Sequence, residues 1–121
     1  GQPTQALIEF VDLYPTLIDY ADLKAPHKLA GRSLRPVFDD PALPGKKAAY
    51  SQVVRGEVVG RSVRTQRWRY TEWGSDGEFG IELYDHDVDG DEYHNQSGNP
   101  ERAAIRENLA KLLARGFPAT R

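Results

Sequence analysis

Apolar residues open the chain as one short block, Ala6-Leu7-Ile8-Glu9-Phe10-Val11, rich in strand formers, and this predicts a buried strand over Gln5–Val11. Asp12 follows where an N-cap belongs, and Pro15 falls in the next turn, where its missing N–H costs nothing. A helix is therefore expected from Leu13 to about Asp22. Leu13, Leu17, Tyr20 and Ala21 share one face of it, Tyr14 and Ile18 widen that face, and Asp19 and Asp22 are its clearly polar positions. The stretch from Lys24 to Arg32 reads as a connector. Ser33 is placed to cap one short turn through Leu34, Val37 and Phe38, which Asp39 to Gly45 ends with two prolines and a glycine.

From Ala48 the texture becomes strand-like. Tyr50–Val54, Val58-Val59, Ser62–Thr65 and Trp68–Trp73 are short β-branched and aromatic pieces between Gly- and charge-bearing turns, and Ile81–Tyr84 alternates as a fourth strand after the loop Gly74–Gly80. Such short connections imply antiparallel neighbours. An acidic loop, Asp85 to Gly98, leads to the strongest helical pattern. There Asn99 caps, Pro100 takes the first position, and Ile105, Leu109, Leu112 and Leu113 form one stripe before Gly116 stops the helix and Pro118 prevents a restart. The pattern predicts an α+β fold: a four-stranded antiparallel sheet packed by one long C-terminal helix, Asn99–Arg115, with an N-terminal strand-helix arm. Residues 1–45 form the arm and linker, and 46–121 the sheet-and-helix subdomain.

A chain of 121 residues holds one compact core at most. Sixteen Lys and Arg against eighteen Asp and Glu leave a net charge of −2, too balanced for whole-surface attraction to phosphate backbones or anionic lipid, so neither nucleic acid nor membrane is an expected partner. No apolar run approaches the ~20 residues needed to span a bilayer, and no signal-peptide pattern opens the chain. The absence of Cys excludes disulfides, thiolate metal sites and cysteine nucleophiles from these residues.

Two segments suggest chemistry on their own. Asp85, Asp87, Asp89 and Asp91 alternate around Gly90 in the manner of a calcium loop, although a strand precedes it and Gln96 stands where the bidentate carboxylate of a helix–loop–helix site is required. The loop reads either as a calcium-binding module or as a solvated turn whose carboxylates bind local amides. Arg61, Arg64, Arg67 and Arg69 interleave with Trp68, Tyr70 and Trp73. This sheet surface reads either as a polyanion binder or as core aromatics with arginines that pair with Glu57, Glu72 and Glu82 or face water. His27, His86 and His94 have no spacing typical of a metal helix or catalytic triad.

The order of several motifs carries further. Phe10-Val11-Asp12-Leu13-Tyr14-Pro15-Thr16-Leu17-Ile18-Asp19-Tyr20-Ala21 resembles the "VDL-PTLLDLAG" segment of sulfatases, and Gly31-Arg32-Ser33-Leu34-Arg35-Pro36-Val37 their "G-x-S-L-x-P-L" turn. Glu82-Leu83-Tyr84-Asp85 through Glu92 and Asn95 is similar to "ELYDL-x-x-DP-x-E-x-x-N", with Gly90 where Pro is usual, and Pro100-Glu101 to the family's "P-E" helix start. Ala49-Tyr50-Ser51-Gln52 and Gly60 to Trp73 resemble the "AYSQ" and "GYS-x-RT-x-x-YRYT-x-W" stretches of iduronate sulfatases and their bacterial relatives.

The resemblance covers nearly the whole chain and implies the C-terminal part of a sulfatase of the alkaline-phosphatase superfamily. Such enzymes hydrolyse sulfate esters with a formylglycine nucleophile and a divalent cation, usually calcium. It implies a parent that is exported to periplasm or exterior, or lysosomal in type, and acts on a sulfated glycan such as an iduronate-containing glycosaminoglycan. No C/S-x-P-x-R run and no counterpart of the family's metal-binding acids occurs here, so the resemblance assigns no catalytic or metal residue to this chain, which alone is expected to be inactive. Its partner would be the N-terminal catalytic domain, and its role packing and shaping the substrate cleft. Gln52, Arg55 and Trp73 are the candidate rim residues: Arg55 for carboxylate or sulfate, Trp73 for stacking on a sugar ring. Arg64 is assigned to hydrogen bonding within the sheet or between domains. The apolar arm is expected to leave uncovered surface and to drive self-association.

Overall fold

The computed structural model describes residues 1–117; Pro118, expected to prevent a restart of the last helix, lies outside them. The chain forms two compact units, Gly1–Ala49 and a second from Tyr50 onward. In the first, a 3-10 turn, Phe10–Asp12, runs into helix α1, Leu13–Tyr20, and a short helix α2, Arg35–Asp39, follows. Pro36 opens α2, and the Ser33 hydroxyl takes the amide of Arg35 at 3.1 Å. The strand expected over Gln5–Val11 does not form. Leu7 makes one antiparallel bridge to Lys46, and with no second strand alongside, the segment has no ladder to join. Helix α1 ends two residues earlier than expected. Asp22 turns left-handed, φ 53°, and the amides of Asp22 and Leu23 return to the carbonyls of Asp19 and Ile18, as in a glycine-ended helix.

Helix α1 buries its polar side. Asp12, Thr16 and Asp19 fall at i, i+4 and i+7, and all three receive the segment from Arg32 to Arg35. The amide of Arg32 donates to Asp12 Oδ1 at 3.0 Å, the amide of Leu34 to Thr16 Oγ1 at 2.9 Å, and the Ser33 hydroxyl to Asp19 Oδ2 at 2.5 Å. Gly31 lies so close to the Val11 carbonyl that a Cβ there would overlap it. Asp12 therefore does not cap the turn after it, as expected; its second oxygen reaches back to the amide of Glu9 at 2.9 Å. Pro15 is buried and Ile18 half-buried, but the other apolar residues of the same helix face outward: Leu17 is 67% exposed, and Leu13, Tyr14 and Tyr20 about half, with Phe10 at 91% just ahead.

Lys46 completes the buried polar cluster, donating to Asp12 at 2.7 Å and to Glu9. Burial pushes the Asp12 carboxyl up, but Lys46 and the amides of Arg32 and Glu9 outweigh it and hold the group below its ordinary 3.8. Burial likewise pulls the Lys46 ammonium down, and Asp12 and Glu9 more than restore it, above 10.5.

The second unit is a sheet in the order β1-β2-β3-β4, formed by Ala49–Arg55, Val58–Arg64, Trp68–Trp73 and Gly80–Asp85. Val58-Val59 and Ser62–Thr65, separate pieces in the sequence pattern, join into β2 through Gly60, where the Trp73 ring lies against the bare backbone. Gly56, φ 61°, opens the two-residue turn between β1 and β2, a position only glycine takes at no cost. Asn99 caps a 3-10 turn, Pro100–Arg102, by accepting from the Glu101 amide, and this leads into α3, Ala103–Gly116. Val63, Tyr70 and Leu83 stand opposite one another across three strands and are fully or almost fully buried. Leu109 and Leu113 of α3 are the buried members of the helical stripe, and α3 packs on β2 and β3. Each such side chain withdrawn from water contributes about 1.5–3 kcal/mol. Gly116 ends the helix for a reason of packing: the Tyr50 ring occupies the space its Cβ would need, and Tyr50 meets Phe117 edge-on at 5.9 Å.

Two outcomes follow from the first unit. The outward apolar face of α1 makes the isolated chain self-associate; in sedimentation Leu17→Glu shifts it toward monomer, whereas a wild type that stays monomeric at high concentration contradicts this. Asp12, depressed below 3.8, contributes stability above that pH and loses it as pH falls through the lowered value, while Lys46 contributes below 10.5 and loses it above. Denaturation across pH shows a plateau between these limits. Asp12→Asn removes its acid limb and lowers the plateau by roughly 3–5 kcal/mol; an unchanged acid limb refutes the assignment.

Candidate functional site

Because α3 seals one face of the sheet, strand alternation sends every second side chain of β1–β4 to the other. The register places Ser62 opposite Thr71 and Glu82, and Gly60 opposite Trp73 and Gly80, on the face away from α3. Ser51, Val53 and Arg55 of β1 and Arg69 and Tyr84 share it. The result is a polar surface with two adjoining open grooves, of about 490 and 340 Å³, that have Arg55, Trp73 and Glu82 in common.

The three rim candidates separate on this surface. The Arg55 guanidinium lies over the Trp73 ring at 5.0 Å. Trp73 rests on Gly60, and its Nε1–H donates to Glu82 Oε1 at 3.1 Å, so the ring is engaged on several sides. Gln52 lies three residues from Arg55 and so on the opposite face, where its Oε1 accepts from Arg61 Nε at 3.2 Å. Arg55 and Trp73 are brought together and Gln52 is not. Arg55 has no carboxylate partner within ion-pair reach among the described residues, and the ring beneath limits where its charge can point.

The other arginines are spent internally. Arg67 forks onto Asp85, with Nε–Oδ1 2.7 Å and Nη2–Oδ2 2.6 Å, and lies over the Trp68 ring at 5.0 Å, while Arg102 lies 5.7 Å from the same ring. Arg69 pairs with Glu92, and Arg64 closes the β2–β3 turn by donating to the carbonyls of Thr65 and Gln66. The acids that pair with this arginine cluster are thus Asp85, Asp87 and Glu92, not Glu57, Glu72 and Glu82 as the sequence suggested. Glu72 accepts instead from the buried Tyr70 hydroxyl at 2.7 Å, and Glu82 from Trp73. The guanidinium groups and rings fall on both faces and do not form one polyanion-binding surface.

The acidic loop is equally occupied. Arg67 holds the Asp85 carboxyl below its ordinary range against the effect of burial, and Asp89, likewise lowered, accepts from the amides of His94 at 2.8 Å and Tyr93 at 3.0 Å. Among the described residues no group of three or more His, Asp and Glu is placed to hold a metal ion. Asn95 runs beside the edge strand β4: its Oδ1 accepts from the Leu83 amide, its Nδ2 donates to the Ile81 carbonyl, both at 3.0 Å, and the Gln96 amide donates to Leu83 O at 2.7 Å. The Asp85–Asp89–Glu92–Asn95 series thus folds the loop onto the sheet and covers that edge. Spacing gave no sign of this, since most partners are backbone groups or the distant arginines Arg67 and Arg69.

Residues 1–116 match the family described as N-sulphoglucosamine sulphohydrolase, C-terminal. The chain belongs to that family and is a C-terminal sulfatase domain. It is 31% identical, over 93% of its length, to the N-acetylglucosamine-6-O-sulfatase of Bacteroides thetaiotaomicron, of which it spans 22%. Among solved structures it resembles one described as a 2-O GAG sulfatase, with TM-score 0.79 and 29% identity, covering 95% of this chain and 26% of that one. A second, solved with its substrate D-glucosamine-2-N,6-O-disulfate, gives TM-score 0.75 and 26% identity over 87% of this chain and 23% of that one. The chain therefore spans about a quarter or less of the second structure and of the curated relative.

Asn95→Ala strips partners from Leu83 N–H and Ile81 C=O together and should lower stability by roughly 2–4 kcal/mol in chemical denaturation. Asn95→Asp, which keeps the acceptor and loses the donor, should cost less; equal losses would show that the amide oxygen contributes nothing.

Proposed function

We propose that this chain is the C-terminal domain of a sulfuric ester hydrolase acting on a sulfated glycan, where it covers the catalytic domain and supplies one wall of the substrate cleft. The observation that carries the wall is Arg55: a guanidinium held on an indole face, on a grooved polar surface, with no carboxylate partner among the described residues. A sulfate or uronate carboxylate would complete it with a charge-assisted pair. Helix α1 supports the cover, since it buries Asp12 and Thr16 and turns Leu13, Leu17 and Tyr20 outward. A helix of this kind is finished only when another apolar surface lies on it.

The substrate class is supported by relatives that carry sulfatase names and by one bound to a disulfated glucosamine. Within that class, the "AYSQ" and Gly60–Trp73 stretches favour an iduronate sulfatase-like substrate sulfated at a uronate 2-position. The formylglycine and divalent cation of such an enzyme do not fit the residues described here. The sequence has no C/S-x-P-x-R run, and Asp85, Asp87 and Asp89 of its acidic loop already hold Arg67 and backbone amides. On this reading both groups belong to the catalytic domain, and the residues of this chain bind and orient.

The test is sulfate release by the longer polypeptide that contains this sequence, offered a 2-O-sulfated uronate disaccharide and D-glucosamine-2-N,6-O-disulfate. Release by that polypeptide and none by the isolated chain is expected, with the uronate substrate preferred. Arg55→Ala should raise KM about tenfold, the loss of one charge-assisted hydrogen bond, with kcat little changed. Turnover by the isolated chain, or an Arg55 variant with unaltered KM, would overturn the corresponding part.

A further inference from the structure

We propose that the polar groove beside β1 is an anion subsite whose affinity is set by protonation of His86, a proposal that rests on the rim reading of Arg55. The groove is lined in part by Arg55, Ser62, Arg69, Thr71, Tyr84 and Glu92. Arg69 lies 5.4 Å from the Tyr84 ring centroid and gives its charge to one oxygen of Glu92, while the other oxygen of Glu92 faces His86 Nε2 at 2.6 Å. One carboxylate is thus shared by a permanent cation and a titratable one. Glu92 holds this position with a left-handed backbone, φ 62°, which a residue other than glycine adopts only when its surroundings impose it.

The charges around His86 give the sign. With a neutral imidazole, Arg69 and Glu92 cancel; with an imidazolium, the trio carries +1 and Glu92 is divided between two cations, so more of the Arg69 field reaches the groove. Asp87 and Asp89 share the loop with His86, Arg64 on β2 acts on Glu92 and Asp87, and Tyr84 on β4 is influenced by Glu92 and Arg69. Glu82 and Asp91 also line the groove and oppose an anion, so affinity is weak when His86 is neutral. Glu82 is turned to Trp73, and Asp89 to the amides of Tyr93 and His94. His94, 3.7 Å from Asp89 and 78% exposed, is the second imidazole of the loop and serves as the control.

The experiment is an NMR titration of the full chain with D-glucosamine-2-N,6-O-disulfate at about pH 5.5 and about pH 8. Binding about threefold tighter at the acid pH is expected from one added, partly screened charge. His86→Gln should keep the alkaline affinity and lose the acid gain, His94→Gln should keep the gain, and Arg55→Ala should weaken binding about tenfold at both. Equal wild-type affinity at the two pH values, or a gain that survives His86→Gln or disappears in His94→Gln, overturns the tuning and leaves the rim reading standing. Absence of wild-type binding at both, with amide spectra of the folded chain, overturns the rim reading and the subsite with it.

Discussion

Sealing one face of a four-stranded sheet with a helix constrains everything on the other. Val63, Tyr70 and Leu83 must point into α3, so their neighbours along each strand must point away, and those neighbours are Ser62, Thr71, Arg69, Glu82 and Tyr84. A one-residue slip of β3 would exchange its two sets and put Arg69 or Thr71 where Tyr70 is buried. The polar face is therefore specified by the core. Its hydroxyl pair, Ser62 and Thr71 at 2.7 Å, and its ion pair, Arg69 with Glu92, satisfy most of what it carries and leave Arg55 as the cation available to something else.

The first unit inverts the usual order of a helix. Asp12, Thr16 and Asp19 form a polar stripe that accepts two backbone amides and a hydroxyl from the Arg32–Leu34 segment. Lys46 neutralises the buried end of that stripe. The two motifs shared with sulfatases at this end of the chain are thus two halves of one joint, with Gly31 as the residue small enough to let them meet. Of the apolar residues of the first motif, Tyr20 meets the second through the Arg35 guanidinium, 5.1 Å from its ring centroid, while Phe10, Leu13 and Leu17 stay largely exposed.

The sequence was most legible where periodicity is local. The alternation of β3 and β4 and the stripe Ile105–Leu113 need only neighbours a few residues away, and these elements stand near where the pattern placed them. The arm was misread because apolar composition reports a tendency to be covered without naming the cover. Leu7 found one bridge at Lys46, and Phe10 and Val11 found none that buries them. Asp12 was misread as a cap because its partners Arg32 and Lys46 are distant in sequence, although the i, i+4, i+7 spacing of Asp12, Thr16 and Asp19 was visible as a face. Gln52 and Arg55 were grouped by proximity, and the pleat put them on opposite faces. The acidic residues of the Asp85–Glu92 loop looked like ligands for the same reason they serve as braces: carboxylates accept equally from amides, guanidinium groups and cations.

The central claim is that this domain is completed by a larger catalytic body lying on helix α1, with the Arg55 face left open to substrate. Hydrogen–deuterium exchange of the longer polypeptide, compared with the isolated chain kept dilute enough to remain monomeric, tests it most directly. Strong additional protection is expected in peptides spanning Phe10–Leu23, and protection of the β1 peptides Tyr50–Arg55 only when a sulfated saccharide is added. Equal exchange of Phe10–Leu23 in the two proteins would contradict it.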